Sequence, residues 1–161
     1  MLIVVEGIVM CFVLLIVCVV GISNGPVGLV LLYEKDVQER VVELGLTTKD
    51  TLFIITTDGM ENASRFYSSD RVKKMIQRQK TKYGWEFLFL GANIDAVETA
   101  RHFGIGADRA VNYNSDSAGT QLNYEVLNDA ISAVRSSAPL GADWKSRIDE
   151  DYEKRGKGEK R

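Results

Sequence analysis

Residues 51–64 read TLFIITTDGMENAS, and this stretch decides how the rest of the chain is read. Leu52, Phe53, Ile54 and Ile55 form an unbroken apolar run. A short run of β-branched and aromatic residues, stopped by a turn signal, fits a strand buried on both faces. Thr57-Asp58-Gly59 supplies the stop. Asp58 therefore stands at the C-terminal end of an expected central parallel strand. In open α/β sheets ligands bind at that rim.

Downstream, the pattern continues as β–α units. Ser69 or Asp70 is expected to cap a helix reaching about Lys82, with Val72, Met75, Ile76 and Gln79 facing inward. Gly84 stops it, and Trp85–Leu90 (WEFLFL) is the next strand. A short helix is expected over Asp95–Phe103, with Asn93 as its N-cap, then a strand over Ala110–Tyr113. Leu122, Val126, Leu127, Ala130, Ile131 and Val134 mark one stripe of a long helix ending near Arg135. The fold class is α/β: a partial doubly wound, Rossmann-like, mostly parallel sheet of three to four strands with flanking helices.

Upstream, the sequence changes character. The first 33 residues carry one charged side chain, Glu6. A bilayer core takes about 20 apolar residues. Residues 1–22 are therefore expected to form a hydrophobic N-terminal helix that crosses a membrane once. Lys35 and Arg40 beyond it favour a cytoplasmic C-terminal domain. Val27–Tyr33 reads either as a strand or as the end of the membrane segment. As a strand it would precede a helix over Glu34–Leu44 in one βαβ unit with 51–57. The domain division is then a leader over 1–33, an α/β unit over 34–137 and a charged tail over 138–161 expected to lack regular structure.

Bulk properties exclude several chemistries. The 161 residues are 45% apolar and 26% charged, with a formal net charge of −2. That balance gives no electrostatic argument for nucleic acid. The basic residues between Arg71 and Lys82 lack interleaved aromatics, so no nucleic-acid partner is expected. Both cysteines, Cys11 and Cys18, lie in the leader, and His102 is the only histidine. Zinc-ligand spacing and a thiol nucleophile downstream are thus ruled out. Gly104-Ile105-Gly106 follows a helix rather than a strand, which disqualifies it as a dinucleotide loop.

The expected strand ends carry Asp58, then Asn93 and Asp95, then Asn114 and Asp116. Oxygen ligands on one rim suit Mg²⁺ or Ca²⁺. The same residue types belong at helix N-caps, and that is the expected role of all but Asp58. Asp58 is set apart by the loop over 59–67, longer than a cap requires.

The stretches IITTDGMENASRFYSSDRVKKMIQRQKTKYGWEFLFLGANIDAVETARHFGI and RAVNYNSDSAGT resemble the C-terminal half of a von Willebrand factor A domain of the bacterial and phage type. The resemblance runs from Thr51 to about Arg135. It implies a doubly wound α/β fold with a divalent metal at the strand C-termini, whose coordination a partner's acidic side chain completes. Asp58 matches the third metal loop of that family. The first loop, Asp-x-Ser-x-Ser, occurs nowhere in this chain, and no residue here is assigned to the threonine loop.

The resemblance therefore implies an incomplete metal site: Asp58 as a ligand, Asn93 as a weaker second one, and no tightly bound cofactor beyond weak Mg²⁺ or another divalent cation. The expected function is a protein-interaction module rather than an enzyme, tethered to the membrane through 1–22 and binding another protein. With the family's first half absent, the 51–57 strand is expected to leave an apolar edge open to self-association. Two alternatives stand beside this reading. One is a metal-dependent hydrolase using Asp58, Asp95 and Asp116; the other is a truncated, non-functional fragment.

Overall fold

The structure, a computed structural model, describes residues 2–4, 15–19, 52–57, 68–136 and 138–156. Its centre is three adjacent parallel strands. They are β3 (Leu52–Thr57), β4 (Glu86–Gly91) and β5 (Ala110–Asn112), paired in the order β3-β4-β5. Two strands of the leader, β1 (Leu2–Val4) and β2 (Leu15–Val19), extend the sheet beyond β3. β2 runs parallel to β3, Leu15 opposite Leu52, and β1 runs antiparallel to β2.

The helices follow from sequence signals. α1 (Ser69–Tyr83) begins after Ser68, whose hydroxyl accepts the Arg71 N–H at 3.3 Å. It ends at Gly84, where φ is 70° and glycine meets no Cβ penalty. Val72, Ile76 and Gln79 are its buried face. α2 (Ala96–His102) separates β4 from β5. α3 (Ser117–Arg135) follows β5.

Successive side chains of a strand point to opposite faces, and here both faces are covered. β3→α1→β4 and β4→α2→β5 step the same way across the sheet. Crossovers of one hand then place α1 and α2 on one face. There Phe53, Ile55, Phe87 and Phe89 pack with Val72, Ile76, Trp85, Ala96, Ala100 and Phe103. On the other face Leu52, Ile54, Leu88, Leu90 and Val111 meet Val126, Leu127, Ala130 and Val134 of α3. The whole expected stripe of α3 lies in this second cluster or against it.

Two regions depart from expectation. The tail expected to be irregular over 138–161 forms, after a 3₁₀ turn (Ala142–Lys145), a helix, α4 (Ser146–Gly156). Ile148 is 1% exposed in the second cluster, with Leu140 and Trp144 packed on it. Polar bonds fix the same segment to the start of β5. The Trp144 indole donates to the Asp108 carbonyl at 2.9 Å, and Lys145 Nζ to the carbonyls of Ala107 and Ala110 at 2.9 and 2.6 Å. The signal was the i, i+4, i+8 spacing of Trp144, Ile148 and Tyr152. Charge density masked it.

The leader is the second departure. Where 1–22 is described it is strand, not helix, and among the described residues no helix is long and apolar enough to cross a membrane. A short apolar run reads equally as buried strand or buried helix, because neither needs a polar face. β2 also takes the position beside β3 that was expected to be empty or filled by Val27–Tyr33. β3 is paired on both sides, so the open edge expected there is closed. Val27–Tyr33 and Glu34–Leu44 lie outside the described residues.

Candidate functional site

Parallel strands deliver their C-termini to one rim, and the backbone keeps the loops in step beyond the strands. The Ala92 N–H donates to the Thr57 carbonyl at 2.9 Å, and the Tyr113 N–H to the Gly91 carbonyl at 3.0 Å. Asp58 and the loop over 59–67 lie outside the described residues. The loops after β4 and β5 do meet. Asn93 Nδ2 donates to Ser115 Oγ at 3.4 Å. Asn93 sits at φ 57°, the left-handed region that asparagine tolerates better than most residues.

Asn93 is not the cap of α2. That role belongs to Asp95, whose Oδ1 accepts the Glu98 N–H at 2.9 Å. A residue that sequence reasoning missed joins it: Asn112 Oδ1 accepts the Ala96 N–H at 2.9 Å from the neighbouring strand end. No sequence spacing reveals that pairing, since it depends on the β4–β5 register. Gly91 makes the junction possible. A Cβ there would stand 2.8 Å from both Ala96 Cβ and Ile94 Cδ1.

The loop between β5 and α3 is held from two sides. Asp116 Oδ1 accepts the Gly119 N–H at 2.7 Å as the cap of α3, while its other oxygen pairs with Arg155 Nη1. Arg155 also forks onto Asp151, with Nε to Oδ1 at 2.8 Å and Nη2 to Oδ2 at 2.5 Å. Asn114 Nδ2 donates to Asp151 Oδ2 at 3.1 Å. The Gly119 N–H, and then Arg155, hold the Asp116 carboxyl below the usual carboxylate range. For Asp151 the Arg155 bond comes first and Asn114 helps. Arg155 is pushed up in turn, chiefly by Asp151. Arg155 was not singled out from the sequence, because one arginine in a charge-dense tail carries no positional signal.

Asp95 and Asp116 are therefore both engaged as caps. Among the described residues no three His, Cys, Asp or Glu side chains gather as a metal-binding group. His102 is largely exposed, with Glu98 Oε1 at 3.4 Å. Gly104, at φ 77°, turns the chain out of α2. The surface beside the rim, along Ser115, Ser117, Thr120, Gln121 and Tyr124, is open to solvent. The chain matches no family model, no curated protein and no solved structure.

Proposed function

We propose that this chain is a von Willebrand factor A-like protein-interaction module that binds its partner at the rim after β3, β4 and β5. The observation that carries the reading is the meeting of Asn93 and Ser115 at 3.4 Å, from loops following two adjacent parallel strands. Asp58 follows the third strand, β3, directly in sequence. An open surface beside the rim suits another protein better than a small substrate, which is normally enclosed in a cleft or cavity. Asp58 serves as one ligand of an incomplete metal site and Asn93 as a weak second. With so few carboxylates, Mg²⁺ is held weakly and keeps most of its waters. The hydrolase reading needs Asp95 and Asp116 at a shared ion, and their engagement in capping weighs against it.

A photo-crosslinking side chain placed at Thr120, exposed on the surface beside the rim, tests the reading, with Thr81 on α1 as the control. Capture of one protein from position 120 alone, competed by untagged chain and reduced by Asp58→Ala, is the expected result. Equal labelling from both positions, or purified chain with turnover abolished by Asp58→Ala, would overturn it.

A further inference from the structure

One arginine outside the sheet reaches the rim loop directly and also through a carboxylate of its own helix. Arg155 lies in the last turn of α4 yet bonds Asp116, in the loop after β5, and Asp151, which in turn accepts from Asn114 of the same loop. Ser115, between Asn114 and Asp116, accepts from Asn93 across the rim. A Cβ on Gly119 would stand 2.0 Å from the Asn114 carbonyl oxygen, so α3 and the loop backbone are in close contact. A planar guanidinium that forks onto one carboxylate and reaches a second fixes orientation as well as distance.

We propose that Arg155 is a positioning residue for the rim: from α4 it fixes the β5–α3 loop and, through Ser115, the side chain of Asn93. The functional meaning of that role rests on the rim being the binding surface. The other α4 arginine with carboxylate partners on α3, Arg147, pairs with Glu125 and Asp129 at 2.8 and 3.5 Å, farther along the helix from the loop. It provides a control that loosens α4 without touching the β5–α3 loop.

The test is NMR on the full chain with wild type, Arg155→Ala, Arg155→Lys and Arg147→Ala. The readouts are the Asn93 side-chain amide signals and backbone hydrogen exchange over 114–119 and 86–91. Arg155→Ala is expected to move the Asn93 signals and raise exchange over 114–119 about fivefold, the scale of a partly exposed ion pair, with β4 unchanged. Arg155→Lys keeps the charge but loses the fork, so it should recover only part of the effect. Asn93 signals that stay put in Arg155→Ala overturn the proposal. So do equal shifts in Arg147→Ala, or a rise in β4 exchange as large as that in the loop. Chain with the crosslinker at position 120 and Arg155 intact that captures nothing would sink the interaction reading instead, leaving these signals to decide on Arg155.

Discussion

The two faces of the sheet are closed by different forces. On the α1/α2 face Phe53 lies 5.3 Å from Phe87 and 6.3 Å from Trp85 between ring centroids, and the cluster is aromatic throughout its centre. On the α3/α4 face the centre is aliphatic, and α4 is fixed around Ile148 by charged groups: Arg147 to Glu125, Lys145 to backbone carbonyls, Arg155 to Asp116 and Asp151. Apolar burial is non-directional and indifferent to pH. Exposed ion pairs are directional, screened by salt and lost on protonation. The first face should therefore behave as a foundation, and the outer layer of the second as an adjustable part. The rim loop after β5 depends on that adjustable part.

The largest effect should come from the foundation. Phe87 is 1% exposed between Phe53 and Trp85. Phe87→Ala is expected to cost about 3–5 kcal/mol, as truncations of buried aromatics do. Tyr152, exposed on α4, should cost under about 0.5 kcal/mol when cut to alanine. Urea unfolding of both variants measures the contrast. Comparable losses would show that the faces are not distinct.

Next in size is a reversal of sign. Alanine is favoured over glycine in a helix interior by about 1 kcal/mol. Gly119→Ala should nonetheless destabilise, by about 1–3 kcal/mol, the usual range for overpacking. The obstacle is a backbone carbonyl, that of Asn114 at 2.0 Å from the added Cβ, and it cannot rotate away as a side chain would. A raised thermal midpoint for Gly119→Ala would refute the close packing of α3 on the rim loop.

These two positions also mark what the sequence could and could not tell. Phe87 belongs to WEFLFL, whose unbroken apolarity already called for a strand covered on both faces, and the structure places β4 there. The stripe from Leu122 to Val134 announced α3 by its spacing, and Gly84 announced the end of α1. Gly119 announced nothing, because the close approach of the Asn114 carbonyl, only five residues away, is set by the turn of the backbone into α3. Nor did Asn112, which caps α2 across the β4–β5 register, or Arg155, 39 residues from Asp116. Local signals showed the elements from β3 to α3, while the cap of α2 is Asp95 and not the expected Asn93. The contacts that build the rim are long-range and left no trace in local pattern. In the leader, Leu15–Val19 shows the opposite limit: an apolar run without polar positions has no period to read.

Smaller effects belong to the caps. Asp95→Ala is expected to cost about 1 kcal/mol, the usual worth of an N-cap, and Asp95→Asn much less, since asparagine caps as well. Asp116→Ala should cost more than Asp95→Ala, because it frees Arg155 as well as the Gly119 N–H. Thermal denaturation of the three variants decides it. Equal losses at the two caps would mean that Arg155 adds nothing to the loop.

The smallest and most selective effect is that of acid. Asp116 and Asp151 both have carboxyls held below the usual range, by the Gly119 N–H and Arg155 in the first case and by Arg155 and Asn114 in the second. A depressed carboxyl binds fewer protons folded than unfolded. The stability it supplies is whole above the unfolded value, about 4, and is lost as pH falls below that through the folded values. Asp149 works the other way. Burial pushes its carboxyl up against the pull of Lys145, so it takes a proton first in the folded state and acid favours that state. Mild acid above about pH 4 should therefore leave α4 in place, while stronger acid loosens it as the two depressed carboxyls protonate. The two tryptophans report one face each: Trp85 is 2% exposed in the aromatic cluster, and Trp144 packs beside α4. In chain labelled with 5-fluorotryptophan, the Trp144 fluorine signal should change at a higher pH than that of Trp85. Added salt, which screens the same pairs, should widen the gap. Coincident acid transitions at the two tryptophans would mean that both faces yield together, and that the ionic layer adds no weak point of its own.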